Sequence, residues 1–421
     1  MRRKAWVGVA LLGLLAARGA RAADSGELLY FPDDEKLRRI DIDSIDHGPI
    51  VEDILIGSTG DDRHALAGPR GGGNVNGQIC VIPDGTNRFV MSEDAEQPRY
   101  QAGYAVFDPN GPMIGKLVPT YLASFADPTG CAVTADGLLL TLVAGDEGLG
   151  TSNGELYLWF PPYDQFPGPE PYPNNEISTN FCVLAEDIGT ATNIQIDEVG
   201  RLLVTSPPSG VVYRFTGPLP TAPNAAGGCG RFDSTGAPLV DAGRLTRQNF
   251  IHDGHIATPS GLARGPSGDW FVGDVLFGRI GEFDANGHFV RLVVDPGTFS
   301  GLPTTYGNPQ GIALDSKGTL YYADLDLVGD NIFDPDTGPD GKIWRVRFDD
   351  QGVPQTPEVV RAGLGFPDGV SVLPGNIQAT PWPTLGGSEK RLYFNPDEST
   401  VTAQNVSQLV TRWTFITSAI V

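Results

Sequence analysis

The chain has 421 residues, among them 55 Gly and 35 Pro, and that density of helix breakers excludes a helical bundle, a coiled coil or a helical solenoid. A hydrophobic share of 40% with 9% aromatics can bury a large core, which excludes a wholly disordered chain. The net charge is −22, with 29 basic against 51 acidic residues, so nucleic acid and anionic lipid are not expected partners: each needs a basic face.

The N-terminus reads as an export signal. Arg2, Arg3 and Lys4 form a basic start, Ala5 to Ala17 an apolar run, and Ala20-Arg21-Ala22 the small-x-small pattern that signal peptidases cut after. A signal peptide over 1–22 and a periplasmic or extracellular location are expected. The apolar run is too short to cross a hydrocarbon core of roughly 30 Å, and no later segment is long and apolar enough. Export also permits disulfides. Cys182 and Cys229 lie in polar or Gly-rich connecting segments and are the disulfide candidate, whereas Cys80 and Cys131 sit in apolar strand-like runs that suit a buried thiol or a bridge equally.

From residue 75 onward one pattern recurs. A small or polar residue precedes Gly, an alternating apolar strand follows, a turn ends in Gly, and two further strands complete the unit. The copies begin at Asn76-Gly77, Thr129-Gly130, Asn193-Ile194, Ser260-Gly261, Gln310-Gly311 and Asp368-Gly369. Strand chemistry is plain in Trp270-Phe271-Val272 and in Leu320-Tyr321-Tyr322. Each unit is a small antiparallel sheet that cannot cover its own faces, and radial packing of such sheets gives a β-propeller. Six starts predict six blades over 23–375. The sixth start lacks its later strands, and 24–56 supplies them: Glu27 to Phe31 as a second strand, Lys36 to Ile42 as a third and Val51 to Ile56 as a fourth. The fold class is therefore all-β, a six-bladed propeller closed by N-terminal strands that complete the last blade, with a C-terminal extension. Long insertions occupy Phe160 to Asn180 and Gly217 to Ala257.

The run Pro309-Gln310-Gly311-Ile312-Ala313-Leu314-Asp315-Ser316-Lys317-Gly318-Thr319-Leu320-Tyr321-Tyr322-Ala323-Asp324 resembles an NHL repeat. Pro367-Asp368-Gly369 is similar to a motif of the gluconolactonase / senescence-marker-protein family. Both families are six-bladed propellers, so the resemblance implies that fold over most of 24–375. Residues 376–421 break the repeat. Gln404-Asn405-Val406-Ser407-Gln408-Leu409-Val410-Thr411-Arg412-Trp413-Thr414-Phe415 resembles the opening of a pyrroloquinoline-quinone-type dehydrogenase propeller. That resemblance implies a quinoprotein-like second domain or partner. No pyrroloquinoline quinone site is expected within this chain.

A propeller gathers its strand-start residues around the central channel. Here those are Asn76, Thr129, Asn193, Ser260, Gln310 and Asp368, all polar and only one charged. Their oxygens suit a hard cation such as Ca²⁺. The gluconolactonase resemblance implies metal ligation by Asn193 and Asp368, but Ser260 stands where that family has Asn, and its Glu has no counterpart. A second Ca²⁺ candidate is the loop carrying Asp334, Asp336 and Asp340, which lacks the bidentate Glu of an EF-hand. His252 and His255 form the one histidine cluster, with no third His near them in sequence. The expected function is an exported binding or docking domain with a polar channel mouth for a small ligand or Ca²⁺. The alternative is a metal-dependent lactonase or ester hydrolase.

Overall fold

A computed structural model describes residues 26–33, 36–49, 51–54, 75–82, 88–93, 103–107, 113–117, 128–144, 154–163, 178, 180–220, 223, 245–332 and 335–374. Residues 1–22, expected to be a signal peptide, most of both insertions and residues 376–421 lie outside these residues.

Apolar runs bounded by Gly-bearing turns become strands, four to a sheet. The chain opens with β1 (Glu27–Asp33), β2 (Lys36–Asp41) and β3 (Val51–Ile54). A second sheet holds β4 (Val75–Val81), β5 (Phe89–Glu93), β6 (Gly103–Phe107) and β7 (Met113–Leu117). The third holds β8 (Pro128–Val133), β9 (Leu139–Val143), β10 (Glu155–Trp159) and β11 (Phe181–Ala185). The fourth holds β12 (Ile194–Ile196), β13 (Leu202–Ser206), β14 (Val211–Thr216) and β15 (Thr246–Ile251). The fifth holds β16 (Pro259–Arg264), β17 (Trp270–Asp274), β18 (Arg279–Phe283) and β19 (Phe289–Val294). In the sixth, β20 (Pro309–Leu314) and β21 (Leu320–Asp324) are followed by a short hairpin, β22 (Leu327–Val328) with β23 (Asp336–Thr337), and then by β24 (Gly341–Val346) and β25 (Glu358–Leu364). The last strand, β26 (Ser371–Pro374), returns to the first sheet, whose order is β26-β1-β2-β3.

This is a six-bladed β-propeller, and its closure is the one expected. Leu28 pairs with Leu373, and Leu29 with Val372, so the two ends of the chain share one antiparallel sheet. The inner strands pack in sequence, β4 on β8, β8 on β12, β12 on β16, β16 on β20, β20 on β26 and β26 on β4, which closes the ring. No blade edge that faces the channel is left without a neighbour.

Between neighbouring blades lies one apolar cluster at each of six junctions. The period-2 alternation of a strand divides its residues between two of them. In β9, Leu139 and Val143 face the second blade while Leu140 and Leu142 face the fourth; in β10, Tyr157 and Trp159 face one side and Leu156 and Leu158 the other. Both faces are dry, so these strands read as unbroken apolar runs. Each large side chain buried this way contributes about 1.5–3 kcal/mol.

The recurring glycines have two physical causes. Those that end the first hairpin, such as Gly137 and Gly318, have φ of 78° and 83°, a region that L residues avoid. Those at the start of the inner strand have no such φ; they are small because neighbouring blades meet there. A Cβ on Gly311 would lie 2.6 Å from Gly369 Cα, and one on Gly261 2.8 Å from the Gln310 carbonyl oxygen. At the same place the pairing slips, in β4 between Asn76 and Ile79, in β8 between Pro128 and Cys131, in β16 between Pro259 and Leu262 and in β20 between Pro309 and Gly311. A bulge of this kind re-aims the side chains beside it.

Much of the acidic surplus is built into turns. Asp197, Asp284, Asp315 and Asp349 each accept two backbone N–H groups, from two and four residues ahead. At the ends of second strands, buried Asp274 accepts the Ala257 amide and buried Asp324 the Asn308 amide, each tying down the preceding inter-blade connection. The N-terminal segment is also latched to the sixth blade. Lys317 pairs with Asp43 at 2.6 Å, Arg345 and Arg347 reach Asp46, and the Glu27 carboxylate accepts from Ser316.

The inner strands of blades two and three are joined by a disulfide between Cys80 and Cys131. Cys182 is also disulfide-bonded, while Cys229 lies outside the described residues. No helix among the described residues is long and apolar enough to cross a membrane.

Candidate functional site

Polar side chains line the channel where the inner strands begin. The lining is Gln78, Thr129, Gly130, Thr192, Asn193, Gln310, Gly311, Asp368, Gly369 and Val370. Thr129, Asn193, Gln310 and Asp368, all singled out from the sequence, therefore meet in one pocket. The enclosed space is about 20 Å³, room for a water molecule or an ion.

Most of these polar groups bond the next blade round, as a belt. Thr129 Oγ1 donates to the Ala191 carbonyl at 2.7 Å, and Thr205 Oγ1 and Thr192 Oγ1 to the Ser260 carbonyl at 2.7 and 3.2 Å. Ser260 is fully buried, and its hydroxyl donates to Gln310 Oε1 at 2.5 Å, so it steadies Gln310. Between blades two and one, the Ile79 amide donates to Ser371 Oγ at 2.9 Å. Asn76 sits on β4 opposite Ser92, and its side chain is outside the described set.

Gln78 was not expected. It follows the repeated Gly of its blade and lies in the β4 bulge, half-buried. Its Oε1 accepts the Cys131 amide at 3.2 Å, and its Nε2 donates to the Ile194 carbonyl at 3.3 Å, two blades away. The signal that could have found it is the offset of the bulge, which turns the residue after Gly toward the axis.

Asn193 is the exception to the belt. The residue is 6% exposed, and its Oδ1 is buried without a hydrogen-bond partner. Asn180 and Asn308 also carry an unpartnered oxygen, but their amides bond loop carbonyls (Phe160 and Pro162, and Val275) and neither lines the channel. A buried acceptor left unmatched costs about 1–3 kcal/mol. The donors around it are neutral oxygens, and Asp368 is the one carboxylate in the lining. Asn193 and Asp368 come from blades four and one, on opposite sides of the ring. The set offers a hard cation one charge and several carbonyl and hydroxyl oxygens.

The other candidates fall elsewhere. Asp336 is exposed on the β22–β23 hairpin, and Asp334 lies outside the described residues. Asp340 is exposed, pairs with Lys342 at 2.9 Å and accepts the Gly363 amide; the Lys342 hydrogen bond holds its carboxyl below the usual range. His255 stacks on Phe289 at 3.9 Å and bonds Asp253 at 2.6 Å, while His252 is exposed. No group of three or more His, Cys, Asp or Glu suited to a metal occurs among the described residues.

No protein-family model matches the chain, and no curated protein matches it. Among solved structures the chain is similar to a protein of a nidogen/laminin complex at 13% identity, covering 83% of this chain and 99% of that one, with a TM-score of 0.48. It is similar to a luciferin-regenerating enzyme at 11% identity, covering 82% of this chain and 92% of that one, with a TM-score of 0.47. A protein of unknown function from Bacteroides caccae is similar at 12% identity, covering 82% and 98%, with a TM-score of 0.46. The propeller assignment rests on the strand pairing described above.

Proposed function

We propose that this chain is an exported β-propeller binding module whose channel mouth holds a hard cation, with Ca²⁺ as the natural candidate. Asn193 Oδ1 and the Asp368 carboxylate are its opposing ligands. The observation that carries the reading is the buried, unpartnered Oδ1 of Asn193, a residue that lines a polar channel. A bound cation supplies the missing partner of the Asn193 oxygen. Disulfide bonding of Cys80, Cys131 and Cys182 supports an oxidising compartment, in line with the basic-apolar leader. The likeness to NHL-type and gluconolactonase-like propellers, and of 376–421 to a quinoprotein opening, belongs to this reading as a placement among exported propellers that dock ligands or partner domains.

The test is thermal melting of the full chain in excess Ca²⁺ and in chelator. Binding at 100 times Kd stabilises by about 2.7 kcal/mol. Asn193→Ala and Asp368→Asn should each abolish the rise. A wild-type melt that ignores Ca²⁺ removes the reading. The lactonase alternative requires, besides the ion, a carboxylate free to act as base. Turnover of a simple lactone that is lost in chelator would establish it, and no turnover in excess Ca²⁺ would end it.

A further inference from the structure

Gln78 lines the channel pocket, and nothing in the sequence marked it as a ligand. We propose that Gln78 is the specificity-determining floor of the channel site: its carboxamide, held in place by the second and third blades, contributes a neutral oxygen and fixes the charge of the site at that of a single carboxylate. This rests on the cation reading above.

Two hydrogen bonds fix the Gln78 side chain. The Cys131 amide donates to its Oε1, and its own Nε2 donates to the Ile194 carbonyl, so both ends of the carboxamide are assigned. The Cys80–Cys131 disulfide ties β4 to β8 two residues beyond Gln78, at the residue whose amide Gln78 accepts. Gly130 leaves the space: a Cβ there would lie 2.7 Å from Gln78 Oε1 and 3.1 Å from Asn193 Cα. Gly130 thus separates the neutral side chain of Gln78 from the backbone of Asn193, and all three line the same pocket as Asp368. A carboxamide oxygen has two lone pairs, and the Cys131 amide uses one. The second is available to an ion.

The charge follows from this arrangement. Calcium affinity rises with the number of ligating carboxylates and with site rigidity. Among the described residues Asp368 is the only carboxylate of the lining, which puts the site in the weak class, of the order of 10⁻⁴–10⁻³ M for Ca²⁺, suited to calcium-rich surroundings outside the cell. Gln78 is the position at which one substitution changes that class.

The experiment is calorimetric titration of the full chain with Ca²⁺, for wild type, Gln78→Glu and Gln78→Ala. A carboxylate at 78 still accepts the Cys131 amide but loses the donation to Ile194. If Gln78 acts on the ion, Gln78→Glu binds Ca²⁺ about tenfold tighter or better, because charge is added beside it, and Gln78→Ala binds it about tenfold more weakly. If Gln78 only braces the blades, both variants bind more weakly, since both lose the Ile194 contact, and that result overturns the proposal. So does wild-type affinity in both. Failure of wild type to bind Ca²⁺ is a different outcome, which removes the channel reading itself. Should Gln78→Ala fail to fold, the sign of the Gln78→Glu change alone decides. A Cys80→Ala/Cys131→Ala double variant adds a cycle: the loss of its disulfide weakens Ca²⁺ binding in the Gln78 background and leaves the Gln78→Ala background unchanged. Equal weakening in both backgrounds would separate the disulfide from Gln78 and overturn that part of the proposal.

Discussion

Replacing Gly311 by Ala tests the inner ring directly. The added Cβ would stand 2.6 Å from Gly369 Cα, 3.0 Å from the Val370 nitrogen and 3.1 Å from the Gly369 carbonyl carbon. All three are backbone atoms of the segment leading into β26, so no side chain can swing aside. Ordinary contact needs about 3.4–4 Å, and the sixth and first blades must part by several tenths of an ångström. Overpacking of this kind costs about 1–3 kcal/mol. Stiffening of the unfolded chain returns about 0.4–1 kcal/mol. A net loss of about 1–2 kcal/mol is expected. At about 2.1 cal/mol/K per residue, a domain of this size moves its Tm by only about 1–2 °C per kcal/mol, so the urea midpoint is the better assay. Gly254→Ala is the control. Nothing lies within 4 Å of the added carbon there, and its φ is outside the left-handed region, so it should be neutral or slightly stabilising. Equal midpoints for the two variants would refute the close approach of the inner strands.

Three further outcomes follow from the same geometry. Cys80→Ala/Cys131→Ala should lower stability by roughly 2–4 kcal/mol in urea, and reductant should lower the wild type at least as far, because it also opens the Cys182 bridge; no change in either would mean that the bridge does not hold blades two and three. Leu29→Ala empties a fully buried position between the sixth and first blades and should cost about 2–5 kcal/mol, whereas a loss under 1 kcal/mol would place β1 outside the core. The third concerns pH. The Arg345 hydrogen bond holds Asp46 below its ordinary pKa, and the Arg347 hydrogen bond does the same for Glu358. A depressed folded-state pKa adds stability that is present above the unfolded value, about 4, and is lost as pH falls through the folded value. Both carboxylates are about half exposed, so together they contribute no more than about 1 kcal/mol. Asp46→Asn/Glu358→Gln should lower the urea midpoint at pH 6, by an amount that shrinks as pH falls below about 4; equal midpoints at pH 6 would dismiss the latch.

The ring was legible because the requirement for it repeats. At five of the six inner strands, as at Gly130, Gly261 and Gly311, the chain shows Gly after a polar residue (the fourth has Asn193-Ile194), and the period of that signal counts the blades. The closure was legible from a deficit: Asp368-Gly369 starts a blade whose remaining strands lie within 24–56. What stayed hidden depends on neighbours from different blades. The Cys80–Cys131 bridge joins strands that are adjacent only once the ring is closed, and their apolar surroundings suit a free thiol as well. Gln78 turns toward the axis only because the β4 register slips there. Ser260 reads as a channel residue by its position in the repeat, but its hydroxyl is turned to Gln310. The acidic loop around Asp336 and Asp340 reads as a calcium loop by composition; in the structure Asp340 pairs with Lys342 and accepts the Gly363 amide, the second a contact no local pattern encodes.

The measurement closest to the centre of this account is a crystal structure of the full chain grown with Ca²⁺. The account predicts an ion in the channel with Asn193 Oδ1 and an Asp368 carboxylate oxygen as ligands, at roughly 2.3–2.6 Å. A channel that holds only water under those conditions, with the Asn193 oxygen bonded to that water, would contradict it.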